Sequence, residues 1–387
     1  MFGKGVEKER SSSFYLGNDQ EDQRNDELLY QLEEMLSAHL PCFNSWQQAN
    51  VALFSYGVIK AEGCQQGEIA RQVNCGEKVE STVRRFRRWL DNRTVDLETF
   101  FEQWSRWVVE AVGEKRLTLL VDETKLQDRV GVMMVGVAWE GHCIPLAWRT
   151  YEANSREGYP AEGQVKVIES LLEAVKAGLG EGYAVLVLAD RGIGCSPDLC
   201  RVVAQLEWTY LFRVTCQTKI VTEQGDFTIA QQVQPGEIWA QEGVIFKQRG
   251  RIPGSARALW GVGYQEPWAL VTNDDPLTGH EYARRNWQEQ SFRDLKSGGW
   301  RWGDSRIRLP PHVANLLVLL VFAYAWVIAL GAQAVAARCA QPLVRRPDGT
   351  RRRAWSLFKE GLRFFTQVVQ RHTVCLELLF IPDTRFT

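Results

Sequence analysis

The stretch from Arg116 to Arg149 reads RLTLLVDETKLQDRVGVMMVGVAWEGHCIPLAWR. Its opening, RLTLLVD, is a short apolar strand that ends in a carboxylate at Asp122. Val130–Trp139 and His142–Arg149 are two further apolar runs, separated only by Glu140–Gly141, which reads as a tight hairpin. A helical pattern follows from roughly Ala161 to Ala177, with Val165, Ile168, Leu171, Leu172 and Val175 on one stripe. YAVLVLAD is then a second buried strand, ending at Asp190. Arg191–Gly192 leads into a helix around Ser196 to Gln205, and Tyr210 to Val214 is another strand. Three antiparallel strands followed by alternating helices and strands imply an α/β fold whose mixed sheet is covered on both faces.

On the C-terminal side, residues from about Thr215 to Gln265 contain no good helix. Short alternating runs such as DFTIAQQ, EIWAQ, GVIFKQR and ARALWGVGY are broken by Gly and Pro and read as a small, mostly β insertion. PWALVTND returns to an apolar strand, and a strong helix runs from about Gly279 to Ser297. Val313 to Leu330 reads VANLLVLLVFAYAWVIAL, long enough to span a membrane. Asn315 interrupts it and no second span accompanies it, so a fully buried core helix is the better reading. A basic C-terminal region carries Arg345, Arg346, Arg351, Arg352 and Arg353, either as backbone contacts for DNA or as a solvated charge run.

On the N-terminal side, residues up to about Arg24 are Ser-rich and charged and read as a disordered tail with no apolar leader segment. Asp26 to about Val112 is helical in pattern. Within it, a helix around Glu68 to Val73, a break at Asn74–Cys75–Gly76 and a second helix from near Glu77 suggest a helix-turn-helix. Arg84, Arg85, Arg87 and Arg88 lie on that second helix, with Phe86, Trp89 and Leu90 as its apolar stripe. The layout suits DNA binding through Arg84, Arg85 and Arg88; a solvated face on an ordinary helical bundle fits it as well. The organisation is therefore a tail over 1–25, a helical DNA-binding region over 26–113, a first core part over 114–214, the β-rich insertion over 215–266, a second core part over 267–335 and the basic region over 336–387.

The formal net charge of the 387 residues is −1, so any nucleic-acid footprint must be local rather than global. Nine cysteines, an odd number without a CxxC pair, argue against a disulfide framework or a zinc ribbon and for reduced thiols in a cytoplasmic protein.

Two aspartates at strand ends are held rigidly and left open by the loops that follow, so they can meet in a cleft and bridge divalent metal ions. The third acidic ligand is Glu289, on the helix EYARRNWQEQSFRDLK. Tyr282, Arg285, Glu289 and Lys296 are spaced by three, four and seven, which places them on one face of an α-helix. An ordinary amphipathic helix would put Leu or Val there. The flanking cations can hold phosphate oxygens while the carboxylate holds metal. Taken singly, Asp122 and Asp190 could be turn or helix caps, and Glu289 could simply pair with Arg285 or Arg293 along its helix; the ordered combination favours chemistry.

The Tyr282–Arg285–Glu289–Lys296 signature resembles that of bacterial insertion-sequence transposases of the insertion sequence four group. VDETK around Asp122, LADRG around Asp190 and DLKSGGW after Glu289 fit the same group, as does the β-rich insertion. The resemblance covers roughly Leu117 to Trp302 and the apolar helix beyond. It implies an RNase H-like core and a DDE transposase in which Asp122, Asp190 and Glu289 bind two Mg²⁺ or Mn²⁺ ions for phosphodiester hydrolysis and strand transfer. Tyr282, Arg285 and Lys296 would grip the DNA end. Excision through a DNA hairpin would call for an aromatic to hold a flipped base, for which Trp239 in the insertion is offered. The implied partners are duplex DNA with terminal inverted repeats, target DNA and a second copy in a homodimer, with no membrane and a bacterial, nucleoid-associated location. A catalytically inactive DNA-binding derivative and an RNase H-like nuclease such as a junction resolvase are the alternatives; a membrane protein is the weakest.

Overall fold

The computed structural model describes residues 19–73, 78–246, 250–346, 349–369 and 377–383, with backbone only for 19–26 and 368–369. Five helices come first: α1 (Asp19–His39), α2 (Ser45–Ala61), α3 (Gln66–Gln72), α4 (Val79–Leu90) and α5 (Leu97–Val112). Their ends follow local rules. Asn44 and Gln47 form a reciprocal capping box at the start of α2, and Asp96 caps α5, which stops at Gly113 with φ 72°. On α4 the buried side chains Thr82, Phe86, Trp89 and Leu90 recur at helical spacing. The start of α1 at Asp19 lies inside the stretch read as a tail; residues 1–18 lie outside the described residues.

The core elements are β1 (Arg116–Leu126), β2 (Val130–Trp139), β3 (His142–Glu152), α6 (Gly163–Gly178), β4 (Ala184–Ala189), the single turn α7 (Arg191–Gly194), α8 (Pro197–Gln205) and β5 (Thr209–Arg213). The β2–β3 hairpin closes through Glu140 (φ 45°) and Gly141 (φ 89°), both left-handed, as the two-residue turn requires. Five more strands follow: β6 (Lys219–Thr222), β7 (Gly225–Thr228), β8 (Ile238–Ile245), β9 (Ile252–Leu259) and β10 (Trp268–Thr272). All ten belong to one sheet, in the order β3-β2-β1-β4-β5-β10-β9-β8-β6-β7. Strands β4 and β5 run parallel to β1, and every other neighbouring pair is antiparallel. The fold is thus mixed α/β, built on a large mixed sheet with flanking helices.

The strands of the β-rich stretch extend the core sheet: β9 pairs with β10, which bonds to β5 on its other side. One expectation needs correction. The helix read over Gly279–Ser297 is a 3-10 segment, His280–Arg285, followed by the true helix α9 (Asn286–Leu295).

Helix α10 (Pro310–Ala336) is the spine of the molecule. Its central apolar window is entirely buried, packed by α2, α4, β3 and α11 (Leu357–Phe364). Asn315, the polar break in the apolar run, has a structural purpose. Its amide nitrogen donates to the carbonyls of Leu90 (3.0 Å) and Asn92 (2.9 Å), and its own carbonyl accepts from Trp89 Nε1 (3.1 Å). It therefore pairs the open carbonyls at the end of α4, docking that helix on the spine. The C-terminal region is more than a charged tail. β11 (Leu343–Arg345) and β12 (Arg351–Arg353) form a small hairpin that Arg353 fastens to Glu140 and Asp383, while Leu357, Phe358 and Phe364 of α11 are buried.

Candidate active site

Strand register alone brings the two aspartates together. In the parallel β1–β4 pair, Leu120 lies beside Leu188. Two residues further on, Asp122 and Asp190 must project from the same face, side by side. That face has a floor of Leu120, Leu188, Leu211, Leu259 and Leu270, and the 3-10 segment lies over it with Tyr282 inserted among them. Asp122 is not at a strand end as expected. β1 continues through it to Leu126, because β2 keeps pairing with β1 after β4 has stopped.

The third acid arrives on α9. Arg285, where the 3-10 segment meets α9, gathers all three carboxylates onto one guanidinium. Its Nη2 donates to Asp122 Oδ2 at 2.9 Å and Asp190 Oδ2 at 3.4 Å, and its Nη1 donates to Glu289. The other oxygens of the aspartates are engaged by backbone: Asp122 Oδ1 accepts from the Glu123 N–H (2.8 Å), and Asp190 Oδ1 from those of Gly192 (2.9 Å) and Ile193 (3.2 Å). Asp190 is thus a helix cap and a member of the acidic cluster at once, one role for each oxygen. Glu289, paired along its own helix with Arg285, is the most open member, with its side chain 59% exposed.

Electrostatics at the site are under tension. Burial, with the neighbouring charges of Asp190 and Glu289, pushes the Asp122 carboxyl up to about 6 against the pull of Arg285. Burial likewise draws the Lys296 ammonium below its ordinary range, opposed by Asp122. Lys296 Nζ donates to Thr124 Oγ1 at 2.6 Å, from the same face of β1 as Asp122. Beneath α9 lies a buried polar network. The Tyr324 hydroxyl meets His142 Nδ1 (3.0 Å) and Ser291 Oγ (2.9 Å), and Asp294 Oδ2 lies 3.5 Å from the same histidine nitrogen. It clamps the helix that carries Glu289 to β3 and α10. Its members come from distant stretches of chain, so no local motif marks them.

Several residues singled out from the sequence sit elsewhere. Tyr282 is 4% exposed and packs edge-on against Trp268, 5.1 Å between centroids, so its ring faces the core and not a DNA surface. Arg85 is turned inward, its Nε donating to Asn50 Oδ1 at 2.8 Å; Arg84 and Arg88 are exposed. The break at Asn74–Cys75–Gly76 lies outside the described residues. Trp239 is half-buried on β8 against Phe227, 6.4 Å away. The prominent apolar groups of the insertion are instead Ile238, Val262 and Tyr264, all more than half exposed. Beside the two aspartates in sequence, Lys125 reaches Asn154 (2.9 Å) and Arg191 pairs with Glu266 (3.5 Å), both away from the three clustered carboxylates.

Among the described residues, no three acidic, His or Cys side chains stand close enough together to hold a metal ion as they are. The donor set nevertheless suits one. It consists of carboxylates alone, the hard oxygen donors that Mg²⁺ and Mn²⁺ take, and a cationic guanidinium already fills the space between them. A carboxylate trio on an α/β sheet, flanked by Arg and Lys, has the chemistry to hold divalent cations beside a phosphate. Compared with known families, residues 160–326 match the family model described as a transposase DDE domain. The matched span takes in Asp190, Arg285, Glu289 and Lys296, while Asp122 precedes it and joins the cluster through strand register. The match makes this stretch, less than half of the chain, similar to the DDE domain of transposases. No curated protein matches the chain.

Proposed function

We propose that this protein is a cut-and-paste transposase of the insertion sequence four group, with an RNase H-like core. Asp122, Asp190 and Glu289 are its catalytic carboxylates. The observation that carries this reading is the convergence of the three on Arg285, two from adjacent parallel strands and one from a helix lying over them. The strand order supports the RNase H-like part: an antiparallel β3-β2-β1 meander, then β4 and β5 parallel to β1 with α6 and α8 in the crossovers.

Asp122 Oδ2, Asp190 Oδ2 and the Glu289 carboxylate would hold two Mg²⁺ or Mn²⁺ ions, which when bound supply an activated oxygen nucleophile and neutralise the leaving oxygen at phosphorus. To free those oxygens Arg285 must leave the cluster, and its guanidinium then has a phosphate as its natural partner. Lys296 sits one hydrogen bond from β1, where its ammonium can neutralise a non-bridging phosphate oxygen. The Tyr324–Ser291–Asp294–His142 network holds α9 in place during the exchange. In this reading the DNA ends are inverted repeats paired by a homodimer in the cytoplasm, and excision passes through a hairpin whose flipped base is held by an aromatic of the insertion.

The test is a strand-cleavage assay on duplexes carrying the ends of the element that encodes the protein, with Mg²⁺, Mn²⁺ or EDTA. Wild type is expected to nick and form hairpin ends only with metal. Glu289→Gln is expected to bind the duplex equally well and to cut at least about 10²-fold more slowly. A Glu289→Gln variant that cuts like wild type removes Glu289 from the chemistry and ends this proposal.

A further inference from the structure

Between α9 and α10 the chain alternates between anchor and arginine. Trp300, Trp302, Ser305 and Ile307 are buried, while Arg301, Arg306 and Arg308 between them are exposed. Arg301 (φ 49°) and Arg306 (φ 56°) both lie in the left-handed region, which residues with a Cβ seldom adopt and which costs of order 1 kcal/mol or more each. The loop is tied twice near its middle. Gln127, just past β1, donates to the Gly303 carbonyl at 2.7 Å, and Gln66 of α3 donates to that of Ser305 at 3.4 Å. Gln66 in turn accepts from Arg87 Nε at 3.1 Å, which brings α4 to the same place.

The result is a cleft of about 580 Å³ with Arg87 and Arg88 of α4 on one wall and Arg306 and Arg308 of the loop on the other. Asp91 is its single acidic lining residue, and it faces His312 at 3.2 Å. Among the described residues, none of the four arginines has a carboxylate within ion-pair distance. Four like charges held around one cleft by buried anchors repel one another, and an anionic ligand removes that repulsion. The loop is also linked to the strand that carries Asp122, since Gln127, which bonds to Gly303 three residues before Arg306, directly follows β1.

We propose that this cleft seats the phosphodiester backbone of duplex DNA, gripped between α4 and the α9–α10 loop, and so sets the distance from the helix that binds the duplex to the carboxylates that cut it. The inference rests on the transposase reading and adds Arg87, Arg306 and Arg308 to the DNA-contacting surface. Guanidinium forks match paired phosphate oxygens, and the backbone that carries the loop arginines is already anchored.

The experiment is a salt titration of the full chain binding a labelled mixed-sequence duplex, read by fluorescence anisotropy. Arg306→Gly/Arg308→Ala is compared with wild type, with a triple variant adding Arg88→Ala and with Arg338→Gly. Glycine suits the left-handed backbone at both 306 and 338. Arg338 (φ 57°) is exposed just beyond the far end of the 27-residue helix α10, about 40 Å away, so its replacement removes the same charge from an unrelated place. The slope of log affinity against log salt is expected to fall by roughly one for each cleft arginine removed, about two for the double and about three for the triple variant, and to stay unchanged in Arg338→Gly. If the double and triple variants keep the wild-type slope while wild type binds and cuts with metal, the cleft proposal is overturned and the transposase reading stands. If wild type shows no salt-dependent duplex binding, both fall.

Discussion

Arg285 holds three carboxylates that would otherwise repel, and it does so from a largely buried position. Asp122 is raised by its burial and by the two neighbouring carboxylates. Its folded-state pKa of about 6 stands above the ordinary 3.8, so the folded chain keeps a proton that the unfolded chain has already lost. The penalty is absent below about pH 4, grows as pH rises to about 6 and is complete above that. Asp122→Asn, neutral at every pH, is therefore expected to be more stable than wild type by roughly 2–3 kcal/mol at pH 8 in EDTA, from two pKa units at 1.36 kcal/mol each. The advantage should vanish by pH 4, as read from urea denaturation. An Asn variant less stable than wild type at pH 8 would show that the ion pair to Arg285 outweighs burial. At this scale the sequence was informative about the acids and poor about their neighbours. Singly, Asp122 and Asp190 read as caps; they stood out only in combination, two carboxylates closing the apolar runs LTLLV and VLVLA and a third on a downstream helix with flanking cations. The inward turn of Tyr282 was not legible, because a single sequence does not say which side of a spaced motif meets the sheet.

The spacing of Tyr282, Arg285, Glu289 and Lys296 suggested one continuous α-helix, and the element is composite. Residues three apart eclipse in a 3-10 turn, so Tyr282 stacks above Arg285 and plugs the leucine floor, while α9 beyond it aims Glu289 outward. Propensity does not foretell such a junction; it is set by the floor that Tyr282 fills. The same element depends on the network under it. Tyr324→Phe deletes a buried hydroxyl that serves both His142 and Ser291. A loss of about 1–2 kcal/mol is expected, seen as a lower urea midpoint with an unchanged m-value. A variant as stable as wild type would mean the network contributes nothing to holding α9. The helical character of 26–113, the hairpin at Glu140–Gly141 and the burial of Val313–Leu330 could all be read from periodicity and turn chemistry. The merging of the insertion into the core sheet could not, because strand partners are set by contacts far apart in sequence.

Across the whole molecule, α10 joins the N-terminal helices, the sheet and the C-terminal region, so these parts share one core. Two glycines make the last of these contacts possible. A Cβ on Gly361 would strike the Val327 backbone, and one on Gly331 would strike that of Leu357. Gly361→Ala is expected to cost about 1–3 kcal/mol or more, because backbone on both sides leaves nothing flexible to yield. Thermal melting should still show a single transition, shifted down, since the main core runs through all three parts. Two separated transitions would refute the shared core.

That dependence has a meaning during synthesis. A chain emerging from the ribosome presents α10, apolar on every side, before α11 and the segment around Glu377 that cover its remaining faces have been made. A product cut short just after Ala336 keeps the three candidate acids and all four cleft arginines, yet leaves a hydrophobic strip open to neighbours and proteases. A chain that ends there is therefore expected to aggregate or be degraded where the full chain stays in solution, a difference that expression of the two lengths side by side would show.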